Sequence, residues 1–399
     1  MKGAGKVNLD SLCKVVAGSS VGTIVPGHFA SRSAGHTYVA ARVFHLRRRR
    51  AVLVSRPTRP AYARHVVPHF SSAHLSESKN CERFRDQVLE VPRDMQATAK
   101  LQSLAPHIPR LAALELEPLI KHISQARRLL VVTGAGMSTG SGIPDYRSPN
   151  GSYSRGHKPM QHKEFVSSEA NRRRYWTRSF VGWRYFSQAE PNAAHFALAD
   201  LEANGFLQGG LITQNVDGLH SKAGNRSVLD LHGRIDAVEC IKCGDVTPRD
   251  RLQHRLRACN EEWAAGLETL LPSEFRADGD SEIEETENFV VPSCERCGIG
   301  ILKPAVTFFG GTVPVVTVDA AARAVREADS LLVLGSSMQV FSAFRIARAA
   351  AQAGKPIAIL NSGPTRADEF AHVRIAADVC EELPRVVEAL SMSPERLVS

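Results

Sequence analysis

The sequence predicts an α/β fold, a doubly wound parallel sheet with a smaller cysteine-containing module inserted in it. Short apolar strands alternate with helical segments, which is the pattern of a parallel sheet. Four of these strands end in polar or glycine-rich turns, after Val132, Thr213, Leu334 and Leu360. Ligands bind at the carboxyl ends of the strands in such sheets. The four turns therefore predict a ligand crevice along that edge.

Basic residues are concentrated at the start of the chain. The 399 residues carry a formal net charge of +9, but residues 1–76 alone hold nine Arg, three Lys and one acidic residue, Asp10. The remainder is close to neutral, so we expect no nucleic-acid partner. No apolar run reaches the roughly 18 residues that span a bilayer, so we expect no membrane partner.

Residues 1–76 are typical of an organellar transit peptide, because they are rich in Arg and Ser and lack acids between Ser11 and Ser76. They predict a location in the mitochondrial matrix. A plastid is an alternative destination, the run Arg47–Arg50 also fits a nuclear-localisation signal, and a wrongly assigned gene start would also explain the leader. Residues 77–104 are polar and predict a linker, and the folded catalytic region is expected over residues 105–399.

The turn after the first predicted strand, Leu129–Val132, is rich in glycine. It reads TGAGMSTGSGIPDYRS, with glycines at 134, 136 and 140. Such a turn before a helix start can hold a pyrophosphate on its N–H groups. The spacing is one residue longer than the dinucleotide fingerprint, so a plain tight turn fits equally well. Asp145 and Arg147 follow, and they can bracket a nucleotide or form a surface ion pair.

The stretch Leu211–Gly233 begins as a strand and then carries polar side chains. These are Gln214, Asn215, Asp217, His220 and His232. Histidine can take up or release a proton near neutral pH, so His232 is a candidate for proton transfer. A turn with a hydrogen-bonded structural histidine is the alternative. The recurrence of polar turns after four strands favours a site. Residues 151–190 before it are basic and aromatic, and most of the aromatic side chains are expected to form the core of a small helical lobe, with the lining of an apolar cavity as the alternative.

Two Cys-x-x-Cys pairs lie in an insertion at about 238–303. They contain Cys240, Cys243, Cys294 and Cys297. Two such knuckles supply four thiolates, which close a tetrahedral zinc site. Because no coordination position stays open, we expect one structural Zn²⁺ per chain. The acidic run Asp278–Glu287 between the pairs predicts a solvated loop.

The alternation of helices and strands resumes after the insertion. A helix is predicted over Ala320–Ala328, and a buried strand over Leu331–Leu334 leads into the turn Gly335–Ser337. A second helix is predicted over Ser342–Ala353, and a strand over Pro356–Leu360 ends at Asn361.

These motifs resemble those of the sirtuins, the NAD-dependent protein lysine deacylases. The matching strings are TGAGMSTGSGIPDYRS, TQNVDGLH, LHG, the two cysteine knuckles, LKPAVTFFG, GSSMQV and IAILN. They cover about residues 105–395 in the order of the family. RRYW, FVGW, SKAG and GPTRADE resemble class II, nearest the mitochondrial sirtuin-four group.

The resemblance implies a Rossmann-like NAD domain, a small structural zinc domain and an acyl-lysine protein substrate in the cleft between them. The implied catalytic residues are His232, Asn215 and Asp217, of which Asn215 and Asp217 hold the nicotinamide carboxamide. The implied NAD-binding residues are Gly134, Ala135, Gly136, Ser138, Pro144, Asp145, Arg147, Gln214, Asn215, Asp217, Gly335, Ser336, Ser337, Asn361 and Cys380.

The resemblance also implies a mechanism. The acyl oxygen attacks ribose C1′ as nicotinamide leaves, and His232 then acts as general base toward the ribose hydroxyls. The products are free lysine, nicotinamide and O-acyl-ADP-ribose. The substrate peptide is expected to add as a strand between Phe308–Gly311 and Ser337–Val340.

Four positions depart from the family pattern, Gly140, Ala305, Thr307 and Gly311, and none of them is a reacting group. They leave the acyl group open between acetyl, long-chain, branched acidic and lipoyl. Mono-ADP-ribosyl transfer to a protein from the same site is an alternative, as is a weakly active NAD-binding regulator. A monomer is expected.

Overall fold

The computed structural model describes residues 111–267, 279, 283 and 286–392. The predicted transit peptide, the linker and most of the acidic run lie outside these residues. Six of the described strands form one sheet. They are β1 Leu129–Thr133, β2 Gly210–Thr213, β3 Val228–Asp230, β7 Ser330–Leu334, β8 Ile357–Leu360 and β9 Val373–Ile375. Their order in the sheet is β3-β2-β1-β7-β8-β9, and every neighbouring pair is parallel. The predicted parallel α/β sheet is confirmed.

The central strands are apolar on both faces because helices cover both faces. All five residues of β1 are buried. Leu129 and Val131 pack into one core layer, whereas Leu130 and Val132 pack into the other. This alternation explains why the sequence shows a continuous apolar run there and no period of two.

The two helices whose bounds were predicted both end within one residue of the predicted position, but one of them begins earlier. The described α-helices are α1 Ala113–Gln125, α2 His162–Ser167, α3 Glu169–Phe186, α4 Ala193–Ala203, α5 Leu219–Lys222, α6 Arg249–Cys259, α7 Glu261–Leu267, α8 Val315–Glu327, α9 Phe341–Gln352 and α10 Val379–Met392. Helix α8 begins five residues before the predicted Ala320, because its first residues Val315 and Val316 are exposed and give no apolar period. None of the helices among the described residues has the length and apolar content to cross a membrane.

A second, three-stranded antiparallel sheet has the order β5-β4-β6. Its strands are β4 Gly233–Cys240, β5 Val246–Pro248 and β6 Leu302–Val306. Its core includes the aromatic face of α3, and Trp176 Nε1 donates a hydrogen bond to Leu302 O at 3.0 Å. The interpretation of the aromatic stretch as core is therefore confirmed for residues such as Tyr175 and Trp176, which are buried.

Candidate active site

Two glycine-rich turns meet at the carboxyl ends of β1 and β7. Gly136 N donates to Gly335 O at 2.9 Å. A Cβ on Gly136 would lie 2.9 Å from Gly335 Cα, and a Cβ on Gly134 would lie 2.7 Å from Ser336 Cβ. Glycine is required here by the close approach of the two turns. The first turn continues as a 3-10 helix, Ala135–Ser141, where the sequence suggested the start of an α-helix.

A chain of hydrogen bonds links an amide, a hydroxyl and a carboxylate in this crevice. Asn215 Nδ2 donates to Gly134 O and to Ser138 Oγ, each at 3.0 Å. Ser138 Oγ in turn donates to Asp217 Oδ2 at 2.7 Å. Both amide hydrogens of Asn215 are therefore used, which leaves its carbonyl oxygen as an acceptor. Burial raises the pKa of Asp217, although hydrogen bonds from Leu219 N and Ser138 oppose that rise.

Gln214 joins the ends of three strands. Its Nε2 donates to Thr133 O at 3.0 Å and to Ser336 Oγ at 2.7 Å. Ser336 Oγ also accepts from Met338 N at 3.1 Å, so its own hydrogen can be donated to a further group. Met338 is fully buried and has a φ of 52°, a strained conformation of the kind that clusters at functional sites.

His232 lies at the junction of the two sheets. The next residue, Gly233, has a φ of 82°, and a Cβ there would lie 2.0 Å from Ala305 O. In the ring of His232, Nδ1 lies 2.9 Å from Gln214 O, and Nε2 lies 2.7 Å from Ser342 Oγ. Burial lowers the pKa of His232, while the Gln214 carbonyl raises it. The ring is thus neutral near pH 7, the form that a general base requires.

A pair of histidines, His195 and His220, is buried beneath the site. Their ring centroids are 4.8 Å apart, and His220 Nε2 lies 2.9 Å from Thr133 Oγ1. Burial lowers the pKa of His195 to about 4. Burial and then the neighbouring His195 lower the pKa of His220 to about 3. His220 is 1% exposed and its Nε2 contacts the last residue of β1, whereas Nδ1 of His195 accepts from Asn192 N at 3.3 Å, so both rings have structural partners.

The segment Pro144–Arg147 forms a separate turn. Asp145 Oδ1 accepts hydrogen bonds from Arg147 N at 3.0 Å and Ser148 N at 2.9 Å. The guanidinium of Arg147 lies over the ring of Tyr153, 5.1 Å from its centroid. Among the described residues, the side chains of Asp145 and Arg147 form no ion pair with each other, although the sequence allowed one. That these two residues bracket a nucleotide stays a prediction.

The remaining predicted NAD-binding residues lie around the two turns. Cys380 Sγ is 3.5 Å from Gly136 O, and burial raises the pKa of this thiol to about 11. Ser337 O accepts from Arg366 N at 2.9 Å. Asn361 follows β8, and its Nδ2 donates to Gly363 O at 2.8 Å.

The four cysteines of the two knuckles come together as the sequence predicts. Their Sγ atoms lie within 4.8 Å of one another, with 3.8 Å between Cys240 and Cys297 and 3.7 Å between Cys243 and Cys294. Sulfurs around a tetrahedral zinc, with Zn–S bonds of about 2.3 Å, are about 3.8 Å apart. A Cβ on Gly300 would lie 2.1 Å from Cys240 Sγ, so the cradle excludes any side chain there. The cluster fits a structural Zn²⁺.

The zinc cluster and the candidate base are connected by one strand. Strand β4 begins at Gly233, next to His232, and ends at the zinc ligand Cys240. It pairs with β6 through Gly233 with Val306 and Cys240 with Leu302. Thr307 N donates to His232 O at 2.7 Å just beyond this ladder. The cluster therefore fixes the far end of the two strands that position His232.

Comparison with known proteins identifies the family. The sequence model of the Sir2 family matches residues 134–342, a range that contains the glycine-rich turns, His232 and the four cysteines. The chain belongs to the Sir2 family. This sirtuin is also similar to curated proteins over most of its length.

Three relatives illustrate the range of similarity. The "NAD-dependent protein lipoamidase sirtuin-4, mitochondrial" of Bos taurus is 48% identical over 285 residues, covering 70% of this chain and 88% of the relative. The "NAD-dependent protein deacylase SRT2" of Arabidopsis thaliana is 46% identical, covering 70% and 78%. The "NAD-dependent protein deacetylase 2" of Bradyrhizobium diazoefficiens is 49% identical, covering 66% and 94%.

Solved structures share the fold. The structure described as Sir2Tm bound to a propionylated peptide superposes with a TM-score of 0.53 at 28% identity, covering 70% of this sirtuin and 99% of that chain. A Sir2 complex with a p53 peptide and NAD⁺ gives a TM-score of 0.52 at 27% identity, with the same coverage.

Two residues of the site were not singled out in the sequence. Thr133 accepts from Gln214 through its carbonyl and contacts His220 through its hydroxyl. Its position as the polar end of an apolar strand is a local feature that could have indicated it. Ser342 contacts His232 from 110 residues away, and no local pattern indicates that contact.

Proposed function

We propose that this sirtuin is an NAD-dependent protein lysine deacylase, which transfers an acyl group from lysine to ADP-ribose. The observation that carries the proposal is the neutral imidazole of His232, whose Nδ1 is held by the Gln214 carbonyl at the carboxyl edge of the parallel sheet. The hydrogen-bonded side chains of Asn215, Ser138 and Asp217 lie at the same edge. Amide and carboxylate acceptors suit a carboxamide, and a neutral imidazole suits a ribose hydroxyl.

The amide and the acid bind the nicotinamide end of NAD. The carbonyl oxygen of Asn215 and the carboxylate of Asp217 accept hydrogen bonds from the carboxamide. Ser138 fixes both side chains in place, since it accepts from one and donates to the other. Holding the ring through its substituent leaves the bond between nicotinamide and ribose free to break.

The turns bind the rest of the dinucleotide. The phosphates lie near the backbone of five turn residues, Gly134, Ala135, Gly136, Gly335 and Ser337. Ser336 Oγ accepts two hydrogen bonds within the protein, so its own hydroxyl hydrogen is donated to a phosphate. Pro144, Asp145, Arg147 and Gln214 line the ribose and phosphate side. Asn361 and Cys380 lie at the adenosine end.

The reaction follows from this arrangement. The acyl oxygen of the substrate lysine attacks ribose C1′ while nicotinamide departs with the bonding electron pair. Nε2 of His232 then removes a ribose hydroxyl proton, and the resulting oxygen attacks the acyl carbon. Free lysine leaves with the proton that His232 holds. Water then adds to the acyl carbon as the bond from that carbon to the oxygen on C1′ breaks, which gives O-acyl-ADP-ribose. The substrate peptide adds beside Phe308–Gly311. Phe309 O already accepts from His162 N at 2.9 Å, so the peptide uses the other edge of this segment.

An acyl-peptide panel with product mass spectrometry tests the proposal. Peptides that carry acetyl, long-chain, branched acidic and lipoyl lysine are incubated with the zinc-loaded protein, with and without NAD. We expect nicotinamide and O-acyl-ADP-ribose to appear together on at least one peptide. ADP-ribose attached to a protein instead would indicate mono-ADP-ribosyl transfer, and saturable NAD binding without nicotinamide release would indicate a regulator.

We also propose that residues 1–76 direct the protein to the mitochondrial matrix. The support is their composition, together with the word "mitochondrial" in the names of the bovine and human relatives. Fusing residues 1–76 to a fluorescent protein tests it. Co-localisation with a matrix marker and cleavage of the leader are expected, whereas nuclear or plastid signal would contradict the proposal.

A further inference from the structure

The ring of His232 has a defined tautomer. Its Nδ1 lies 2.9 Å from the carbonyl oxygen of Gln214. A carbonyl oxygen can only accept a hydrogen bond, so Nδ1 carries the hydrogen in the neutral ring. The lone pair that would receive a substrate proton is therefore on Nε2.

That lone pair has a partner within the chain. Nε2 lies 2.7 Å from the hydroxyl oxygen of Ser342. Because Nε2 has no hydrogen in this tautomer, the Ser342 hydroxyl must donate. Ser342 is half-buried and is the second residue of α9, so the start of that helix fixes where its hydroxyl can lie.

We infer that Ser342 is a positioning residue for the base of the proposed reaction, whose hydroxyl holds the imidazole of His232 in both of its protonation states. The inference rests on the proposed function for its role in turnover. The contact itself is a property of the free protein and can be tested without substrate.

A hydroxyl suits this role because it can both donate and accept. It donates to Nε2 of the neutral ring. Once Nε2 has taken a proton from a ribose hydroxyl, the ring is positively charged and both of its nitrogens donate. Ser342 then turns about its Cβ–Oγ bond and accepts from Nε2–H, while Gln214 O still accepts from Nδ1–H. Because Nε2 has a single lone pair, the ribose hydroxyl replaces Ser342 there while the proton is transferred, and Ser342 accepts from Nε2–H afterwards. No proton passes through Ser342, and Gln214 O holds Nδ1–H throughout.

The sign of the effect on the base can be worked out. A hydrogen bond from a charged donor is stronger than one from a neutral donor. Ser342 therefore stabilises the charged ring more than the neutral ring, and removing its hydroxyl lowers the pKa of His232 further. The strands adjoining His232 carry the ionisable side chains of Asp230, Arg234, Asp236, Glu239, Cys240 and Lys303. The shift in the pKa of His232 comes from burial and the Gln214 carbonyl.

The first experiment follows the ring in the free protein. Imidazole nitrogen NMR is recorded against pH for the zinc-loaded wild type and for Ser342→Ala, Ser342→Thr and Ser391→Ala. The His232 resonances are assigned by their loss in His232→Gln. We expect Ser342→Ala to lower the titration midpoint by about half to one pH unit. Ser342→Thr retains a hydroxyl and should titrate as wild type. Ser391→Ala, which removes a hydroxyl from the last turn of α10, should leave the midpoint unchanged.

The second experiment measures turnover with the best acyl peptide. We expect Ser342→Ala to lower kcat about 10-fold with KM for NAD nearly unchanged, because a loosely held base loses productive geometry. The acid limb of kcat/KM should move to lower pH with the NMR midpoint, and Ser342→Thr should restore kcat.

An unchanged His232 midpoint in Ser342→Ala would overturn the inference even if the enzyme is active. So would loss of kcat in Ser342→Thr equal to that in Ser342→Ala, since the hydroxyl would then not be the group that matters. If the wild type releases no nicotinamide on any peptide, the proposed function fails, while the NMR result still decides whether Ser342 holds the ring.

Discussion

The two sheets of this sirtuin are held together in different ways. The central strands of the six-stranded parallel sheet, such as β1 and β7, are buried on both faces between two apolar layers. In the three-stranded sheet, the flanking strand β5 has exposed and half-buried residues only. A small core supplies little net stability, so such modules depend on a metal or cross-links. The large sheet can build a site from loops, whereas the small sheet needs its four cysteines.

The two regions also treat buried charge differently. Helices α4 and α5, beside the large sheet, bury His195 and His220 as neutral rings, since burial depresses the pKa of both. The small region buries Arg249, which is 1% exposed and lies 5.2 Å from the ring centroids of both Trp176 and Trp183. Burial lowers the pKa of Arg249 to about 10, so it stays charged. A neutralised group changes stability with pH, and a permanently charged group costs desolvation at every pH.

Removing a zinc ligand should have the largest effect, and it should act on the small region first. We expect Cys240→Ser to lose the metal and much of the soluble, folded protein, because structural zinc contributes on the order of 10 kcal/mol to folding of small zinc modules. Zinc content by atomic spectroscopy and the melting curve measure this. Cys259→Ser, which changes an exposed thiol at the end of α6, is the matched control. A metal-free protein with an unchanged melting curve would show that the three-stranded sheet does not depend on zinc.

Changing the residue at the junction should stop turnover without weakening either region. We expect His232→Tyr to reduce the formation of O-acyl-ADP-ribose at least about 100-fold, since general base catalysis contributes that much or more and His232 acts after nicotinamide has left. Zinc content and the melting curve should stay near those of the wild type. His254→Tyr, at an exposed position of α6, should keep full activity. Comparable turnover in the two variants would show that His232 is not the base.

The neutral histidines should make the large sheet sensitive to acid. The unfolded histidine has a pKa near 6.5 and the folded His195 one of about 4, so the unfolded chain binds more protons between these values. His195 therefore lowers the free energy of unfolding by about 2–3 kcal/mol as pH falls from 6.5 to 4.5. Asp230 acts in the opposite direction, because burial raises its pKa to about 6.

The measurement is therefore a difference between variants. Urea unfolding at pH 7 and pH 4.5 should show a smaller loss of stability in His195→Gln than in wild type. His254→Gln should lose as much as wild type. Equal losses in all three proteins would mean that His195 titrates normally in the folded state.

The buried guanidinium should show the smallest effect. Nε and Nη1 of Arg249 have no hydrogen-bond partner, and only Nη2 donates, to Ser179. Burying a charge costs desolvation free energy, and even buried ion pairs can often be replaced by apolar side chains of similar volume without loss of stability. We expect Arg249→Met to change the free energy of unfolding by less than about 1 kcal/mol, or to raise it. Arg249→Ala should cost about 1–3 kcal/mol, because the contacts with both tryptophans are lost. A Met variant less stable than the Ala variant would show that the charge itself is stabilising.

The sequence by itself determined the parts of the protein whose cause is local. Apolar runs such as Leu129–Val132 and Leu331–Leu334 predicted buried parallel strands, because both of their faces are covered. Glycines after the strands predicted the turns, and the spacing of the cysteines predicted the zinc cluster. Helix α8 was predicted too short, because the exposed Val315 and Val316 obey no apolar period.

Only the tertiary structure decided which polar groups meet. The sequence placed His220 and His232 in one stretch, but burial makes His220 a neutral support with Thr133 and leaves His232 at the cleft between Gln214 and Ser342. Thr133 is 87 residues from His220 along the chain, and Ser342 is 110 residues from His232. Hydrogen bonding and desolvation depend on distances in space, and such distant partners leave no periodic pattern along the chain.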